Sequence, residues 1–126
     1  MMPLQTNLRR VLVVEDKADE GELLGVLVQR GGHEPLVVHS AREAVATASA
    51  LRPDVALIDI GLPDMNGYDL TRTLRAQPGL EHCRFIAVTG HRSQSAIARS
   101  IAAGFEAHLT KPVSVDDLLA AIAGRG

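Results

Sequence analysis

The chain has 126 residues, of which 46% are hydrophobic, with two Phe, one Tyr and no Trp. This length suits one domain with an aliphatic core that needs no disulfide or structural metal. The formal net charge of -2 excludes nucleic-acid binding that relies on an excess of basic charge. The single Cys83, the lack of a signal-peptide core and the absence of an apolar stretch of about 20 residues predict a cytoplasmic protein without a membrane segment.

Five short apolar runs alternate with five longer amphipathic stretches. We interpret the runs as strands: Val11–Val14, Leu36–Val38, Val55–Ile58, Phe85–Val88 and Ala107–Leu109. Most are rich in β-branched residues and bounded by polar or turn residues, as expected of parallel strands buried on both faces. The alternation predicts an α/β fold, a parallel sheet with helices on both sides. Residues 1–8 are predicted to be a flexible lead-in and residues 9–126 the folded domain.

The stretches between the strands carry signals for helix ends. The pair Gly31–Gly32 is predicted to stop the first helix. Ser40 and Glu43 have the spacing of a capping box at the start of the second helix, and Pro53 is predicted to close it. Ser114 is predicted to cap the fifth helix.

Four of the five predicted strands are followed by, or end close to, residues that could do chemistry. These are the pair Glu15 and Asp16, then Asp59, Thr89 and Lys111. Any one of them is better explained as a solvated strand end. However, parallel α/β sheets place their functional sites at the carboxyl ends of the strands, so the joint pattern predicts one site.

Such a cluster has a specific chemistry. Three neighbouring carboxylates repel one another unless a cation lies among them, and oxygen ligands favour a hard ion such as Mg²⁺. Lys111 and Thr89 could contact phosphoryl oxygens. Asp59 follows the central strand and is the natural nucleophile for phosphoryl transfer.

Several motifs occur in one order along the chain. They are Val11–Asp16, Asp59–Gly67 with the pattern D-x-x-L-P-x-M-x-G, Val88–Thr89 and Leu109–Pro112. Together they resemble the signature of response-regulator receiver domains of two-component signalling, from about residue 10 to the C-terminus. The resemblance implies a flavodoxin-like, doubly wound fold with strand order 2-1-3-4-5 and five helices.

The resemblance also implies roles for the site residues. Asp59 becomes the phosphoacceptor. Mg²⁺, or Mn²⁺ in its place, would be held by Asp16, Asp59 and the backbone carbonyl of Gly61, with Glu15 acting nearby or through water. Thr89 becomes the switch hydroxyl.

In the same family Lys111 is the partner of the phosphoryl group, and the Lys111–Pro112 peptide bond is expected to be cis. The donor is a phosphohistidine on a histidine kinase or a phosphotransfer domain. The resemblance leaves open whether an output domain is fused or separate, although the ending Gly104–Pro112 is similar to receivers of hybrid sensor kinases. It implies a signalling phosphoprotein that catalyses only its own phosphorylation and dephosphorylation, with no direct contact to nucleic acid or membrane.

Three residues depart from the family pattern. His108 stands where the family usually has the switch Tyr or Phe, so a weaker switch is expected, since a charged imidazole resists burial. Gly61 offers no side chain to guide or block a hydrolytic water. Gly90 is small enough to leave the phosphoryl pocket open.

Two other functions fit a domain of this type. One is a receiver-like interaction module that is not regulated by phosphorylation, but such modules typically lose one of the acidic pair, the acceptor or the lysine, and all are present here. The other is a small carrier of flavin mononucleotide, which would need a Ser/Thr/Gly-rich loop after the first strand and flanking aromatic residues. The acidic segment 15–19 and the absence of Trp argue against it.

Overall fold

Strands and helices alternate along the chain in the computed structural model, which describes residues 8–90 and 94–124. The strands are β1 (Arg10–Val14), β2 (Glu34–Val38), β3 (Val55–Asp59), β4 (Arg84–Thr89) and β5 (Ala107–Thr110). The helices are α1 (Ala18–Arg30), α2 (Ala41–Leu51), α3 (Gly67–Arg75), α4 (Gln94–Ala102) and α5 (Val115–Ala123). All strand pairs are parallel and the order is β2-β1-β3-β4-β5, which confirms the predicted flavodoxin-like topology. Residues 1–7 of the predicted lead-in lie outside the described residues.

Each predicted strand lies within an observed one, and the observed strands are longer by one or two residues. Both additional residues of β2 precede the predicted run, so the strand begins at Glu34 and includes Pro35. Proline lacks the N–H that a central strand must donate, so it is tolerated at the edge of a sheet. β2 is such an edge, because among the described strands it stands first in the sheet order and pairs with β1 alone.

Alternating side chains of the strands build two apolar layers, one on each face of the sheet. Leu12 and Val14 of β1 pack in the layer that α2 and α3 cover, together with Leu70 and Leu74. Val11 and Val13 pack on the other face, in the layer that α1 and α5 cover, with Leu24, Val28, Leu118 and Ile122. A sheet covered on both faces explains the almost continuous apolar sequence of its central strands.

Helix α4 buries a polar side chain and exposes an apolar one. Its Ser100 is fully buried, whereas Ile101 is 64% exposed. In the described part of the chain, no helix combines the length and the apolar character needed to cross a membrane.

Both predicted serine caps are confirmed, but the second hydrogen bond of the capping box at Ser40 differs from the prediction. The Ser40 side chain accepts a hydrogen bond from the Glu43 N–H at 3.0 Å, and Ser114 caps α5 in the same way. The Glu43 carboxylate accepts from the N–H of His39, at 2.9 Å, rather than from that of Ser40. The second hydrogen bond of the capping box is therefore made with the N–H of the residue before the N-cap.

The other two predicted ends are also observed. Gly31 is the C-cap of α1, and Gly32 follows with a φ of 92°. α2 ends at Leu51, and Arg52 adopts a left-handed conformation with a φ of 51°. Pro53 then follows directly, so the helix stops just before it, as predicted.

We expect Ser40→Ala to lower the free energy of unfolding by about 1 kcal/mol, because it removes the side-chain acceptor at the start of α2. Urea denaturation would measure the change. Ser40→Asp keeps an acceptor at this position and should retain most of the stability. Equal losses in both variants would mean that the hydrogen bond to Glu43 contributes little.

Candidate functional site

The acidic residues meet where the strand order reverses, between β1 and β3. Glu15 and Asp16 follow β1, and Asp59 is the last residue of β3. One carboxylate oxygen of each residue lies within 4.8 Å of those of the other two. Glu15 is fully buried and Asp59 is 7% exposed, so these two carboxylates are largely shielded from water. The structure thus brings together the three carboxylates that the sequence analysis selected.

Lys111 directly follows β5 and points its ammonium into the acidic cluster. Its Nζ lies 2.9 Å from Glu15 Oε1 and 3.8 Å from Asp59 Oδ2. A third carboxylate, that of Glu20 in the first turn of α1, also lies 2.9 Å from this Nζ. The Lys111–Pro112 peptide bond is cis.

The pKa values of Glu15 and Lys111 reflect this crowding. Burial and the neighbouring Asp59 raise the pKa of Glu15 to about 7, although the hydrogen bond from Lys111 acts in the opposite direction. Partial burial by itself would lower the pKa of Lys111, but hydrogen bonds to Glu20 and Glu15 and the charge of Asp59 raise it overall. Lys111 therefore stays charged, while Glu15 loses its proton less readily than an ordinary carboxyl group does.

Two other predicted residues flank the acidic cluster. The N–H of Gly61 donates to Asp59 Oδ1 at 3.0 Å, which orients the carboxylate. Thr89 ends the adjacent strand β4 and is 4% exposed, and its carbonyl accepts the N–H of Lys111 at 2.8 Å. The metal role of the Gly61 carbonyl and the switch role of the Thr89 hydroxyl remain predictions. Gly90 follows Thr89, and a side chain at Gly90 would meet open space.

His108 lies apart from the acidic cluster, in β5 opposite Ala87 of β4. Its Nδ1 is 3.0 Å from the hydroxyl of Ser100 in α4. That hydroxyl also lies 3.1 Å from the carbonyl of Ala96, to which it can donate. His108 Nδ1–H would then donate to Ser100, so that the two residues link β5 to α4.

The sequence analysis did not find Glu20 or Ser100. Glu20 looks like an ordinary acidic residue in the first turn of a helix, where the helix dipole favours negative charge. Ser100 is fully buried in α4, but a serine in a helix gives no sequence signal of burial. Nothing in the sequence pattern indicates the partner of either side chain.

The acidic cluster suits a hard divalent cation. Its three carboxylates carry more negative charge than Lys111 balances, and oxygen is the ligand that Mg²⁺ prefers. Burial and the neighbouring Asp59 raise the pKa of Glu15, so a nearby cation would favour the ionised carboxylate. Asp16 is only half-buried, which leaves room for water in such a coordination shell.

The strand order and the acidic site at the switch point define the class of this protein as a flavodoxin-like α/β domain. The family model for the response regulator receiver domain matches residues 11–123. The chain therefore belongs to the response regulator receiver domain family. Domains of this family are signalling modules that interact with histidine kinases or phosphotransfer proteins and bind Mg²⁺ at an acidic pocket.

Individual relatives agree with this assignment. The polar-differentiation response regulator DivK of Brucella anthropi is 34% identical over 85% of this chain and 87% of its own length. The DNA-binding response regulator MtrA of Mycobacterium tuberculosis is 30% identical over 97% of this chain and 52% of its own length. This chain spans about half the length of MtrA.

Solved structures show the same architecture. A CheY-like receiver domain protein from Methanospirillum hungatei superposes with a TM-score of 0.80 at 32% identity, covering 94% of this chain and 93% of that one. The chemotaxis response regulator CheY4 of Vibrio cholerae gives a TM-score of 0.85 at 25% identity, covering 94% and 99%.

Proposed function

We propose that this domain accepts a phosphoryl group on Asp59 from a phosphohistidine and changes its surface in response. The donor is a histidine kinase or a histidine phosphotransfer domain. The observation that carries the proposal is the acidic cluster of Glu15, Asp16 and Asp59, with the ammonium of Lys111 beside Glu15 and Asp59. Its members come from three strand ends, and none of the residues that the chemistry needs has been lost.

The chemistry asks for a nucleophile and for charge neutralisation along the line of attack. An oxygen of the Asp59 carboxylate forms a bond to phosphorus while the bond from phosphorus to the imidazole nitrogen of the donor breaks. The Gly61 N–H holds one oxygen of Asp59, which reduces the freedom of the nucleophile. Lys111 is close enough to pair with an oxygen of the incoming phosphoryl group.

The proposed cation is Mg²⁺, or Mn²⁺ in its place. Asp16, Asp59 and the Gly61 carbonyl would hold it, with Glu15 nearby. When bound, the ion neutralises charge that develops on the phosphoryl oxygens. Thr89, at the end of the neighbouring strand, would donate its hydroxyl to another of these oxygens.

A shallow apolar hollow beside Lys111 supports a protein donor. Leu23 and Leu24 of α1 and Pro112 and Val113 after β5 line it, and Leu23 is 59% exposed. An apolar surface next to the acceptor allows a partner to dock while its phosphohistidine reaches Asp59.

The function is tested by mass spectrometry of the intact protein. With Mg²⁺ and a small acyl phosphate such as acetyl phosphate, the mass should rise by one phosphoryl group, and a chelator should prevent the gain. Phosphotransfer from a panel of kinases of the source organism would then identify the donor. No gain from any donor in the presence of Mg²⁺ would leave the receiver-like interaction module as the function.

His108 is proposed to limit the switch. Movement of Thr89 toward the phosphoryl group would open space beside β4, but His108 is held by Ser100 of α4. Entering that space costs this hydrogen bond and buries a polar ring. We therefore expect a weaker response across α4, β5 and α5 than an aromatic ring would give.

We expect His108→Tyr to enlarge the amide NMR shifts over residues 94–118 when a beryllofluoride phosphoryl mimic is added with Mg²⁺. The tyrosine ring is more apolar and fills the space better. His82→Tyr, the same change at an exposed loop position, should leave the response as in the wild type. Equal shifts in all three proteins at pH 6 and pH 8 would show that His108 takes no part in the switch.

A further inference from the structure

The ammonium of Lys111 lies closer to two glutamates than to the proposed phosphoacceptor. Its distances to Glu15 and Glu20 are both 2.9 Å, and its distance to Asp59 is 3.8 Å. Glu15 belongs to the acidic cluster, but Glu20 does not. Glu20 comes from α1 and reaches Lys111 across 91 residues of sequence.

The ion pair between Glu20 and Lys111 lies where it can break. Its side chain is 41% exposed, whereas that of Glu15 is fully buried. Its second oxygen lies 3.8 Å from Lys17, which is also exposed. The contact between Glu20 and Lys111 is therefore hydrated enough to exchange, and a phosphoryl oxygen can compete for the same ammonium.

We propose that Glu20 is a positioning residue that holds Lys111 away from Asp59 and competes with phosphoryl oxygens for its ammonium. This inference rests on the proposed function. In the unphosphorylated protein, Lys111 pairs with Glu15 and Glu20. Binding of a phosphoryl group requires Lys111 to exchange the contact with Glu20 for a contact with the anion. Glu20 therefore lowers the affinity of the site for that anion.

The affinity for beryllofluoride in the presence of Mg²⁺ measures this competition, because the mimic occupies the acceptor without turnover. Glu20→Gln should bind beryllofluoride about two to five times more tightly than the wild type, the size expected for loss of a partly exposed ion pair. The matched control is Glu22→Gln, which makes the same change at an exposed position of the same helix. It should bind as the wild type does.

A third variant separates contact from long-range charge. Glu20→Asp keeps the negative charge, but its side chain is shorter and no longer reaches Lys111. If Glu20 acts by contact, Glu20→Asp binds beryllofluoride more tightly, as Glu20→Gln does. If Glu20→Asp behaves like the wild type, the charge acts only through space and the positioning role is wrong.

NMR of the lysine ammonium groups gives a readout that is independent of affinity. The chain has only two lysines, Lys17 and Lys111, so their Nζ signals are readily assigned. Beryllofluoride should shift the Lys111 signal strongly in the wild type, and Glu20→Gln should move it before any mimic is added. An unmoved Lys111 signal in Glu20→Gln would overturn the proposal.

Beryllofluoride binding and phosphoryl gain together distinguish a wrong role for Glu20 from a wrong function of the domain. If the wild type binds beryllofluoride but Glu20→Gln and Glu22→Gln bind it equally well, only the role of Glu20 is wrong. If no variant, including the wild type, binds beryllofluoride or gains a phosphoryl group with Mg²⁺, both the proposed function and the role of Glu20 are wrong.

Discussion

Asp59→Asn is expected to abolish the gain of one phosphoryl group from acetyl phosphate or a phosphohistidine donor. An amide nitrogen or oxygen is a far weaker nucleophile than the carboxylate, and no other side chain of the acidic cluster sits at the end of β3. The variant should remain folded, because amide and carboxylate have nearly the same size and the Gly61 N–H still finds an oxygen acceptor. Intact mass and thermal unfolding measure the two properties.

The matched control is Asp116→Asn, which makes the same change at an exposed position in the first turn of α5. It should gain the phosphoryl group at the wild-type rate. A full mass gain in Asp59→Asn would place the acceptor elsewhere. A loss in both variants would point to an effect of net charge.

Glu15→Gln is expected to stabilise the metal-free protein at pH 8 and to weaken Mg²⁺ binding. Burial and the neighbouring Asp59 raise the pKa of Glu15 to about 7, from an ordinary value of 4.5. The folded protein therefore binds a proton at Glu15 more tightly than the unfolded chain does. This contribution to stability is full below about pH 4.5 and is lost as the pH rises through about 7.

The expected size of this loss in the wild type between pH 5 and pH 8 is about 1–3 kcal/mol of unfolding free energy, since each pKa unit corresponds to about 1.4 kcal/mol. Glu15→Gln has no charge at either pH, so it should be about as stable as the wild type at pH 5 and more stable at pH 8. Mg²⁺ should reverse the order of the two stabilities at pH 8, because it binds more tightly to the wild type, whose Glu15 is ionised, than to Glu15→Gln. Urea denaturation with a chelator or with Mg²⁺ would measure these differences.

The comparison between wild type and variant removes the effect of other titrating groups. Burial and the charge of Arg9 lower the pKa of His33, and His33 Nδ1 accepts the Arg9 N–H at 3.0 Å. Its contribution to stability is present above its ordinary pKa of 6.5 and is lost as the pH falls, opposite in direction to that of Glu15. Glu22→Gln, on the exposed face of α1, is the charge-matched control and should follow the wild type. If the stability of Glu15→Gln changed with pH as steeply as that of the wild type, the role assigned to Glu15 would be contradicted.

The sequence by itself determined the class of fold and the composition of the acidic cluster. Apolar runs of three or four residues, as found here, separated by amphipathic stretches are typical of parallel strands covered by helices. In such a sheet the carboxyl ends of all strands lie at one edge. Residues far apart in sequence, such as Asp16, Asp59 and Lys111, could therefore be placed together from the sequence. Helix caps were predictable for a different reason, because Ser40 and Ser114 bond to residues only three positions away.

Only the tertiary structure decided which side chains pair with one another. Glu20 with Lys111 and His108 with Ser100 are contacts between different elements, set by helix rotation and by side-chain conformations. Arg84, at the start of β4, likewise donates to the last carbonyls of α5. Periodicity records how far a residue is buried, but it does not record the identity of the partner across the interface. For this protein the sequence therefore predicts the acidic cluster, and the packing of α1 and α4 on the sheet determines which side chains hold Lys111 and His108.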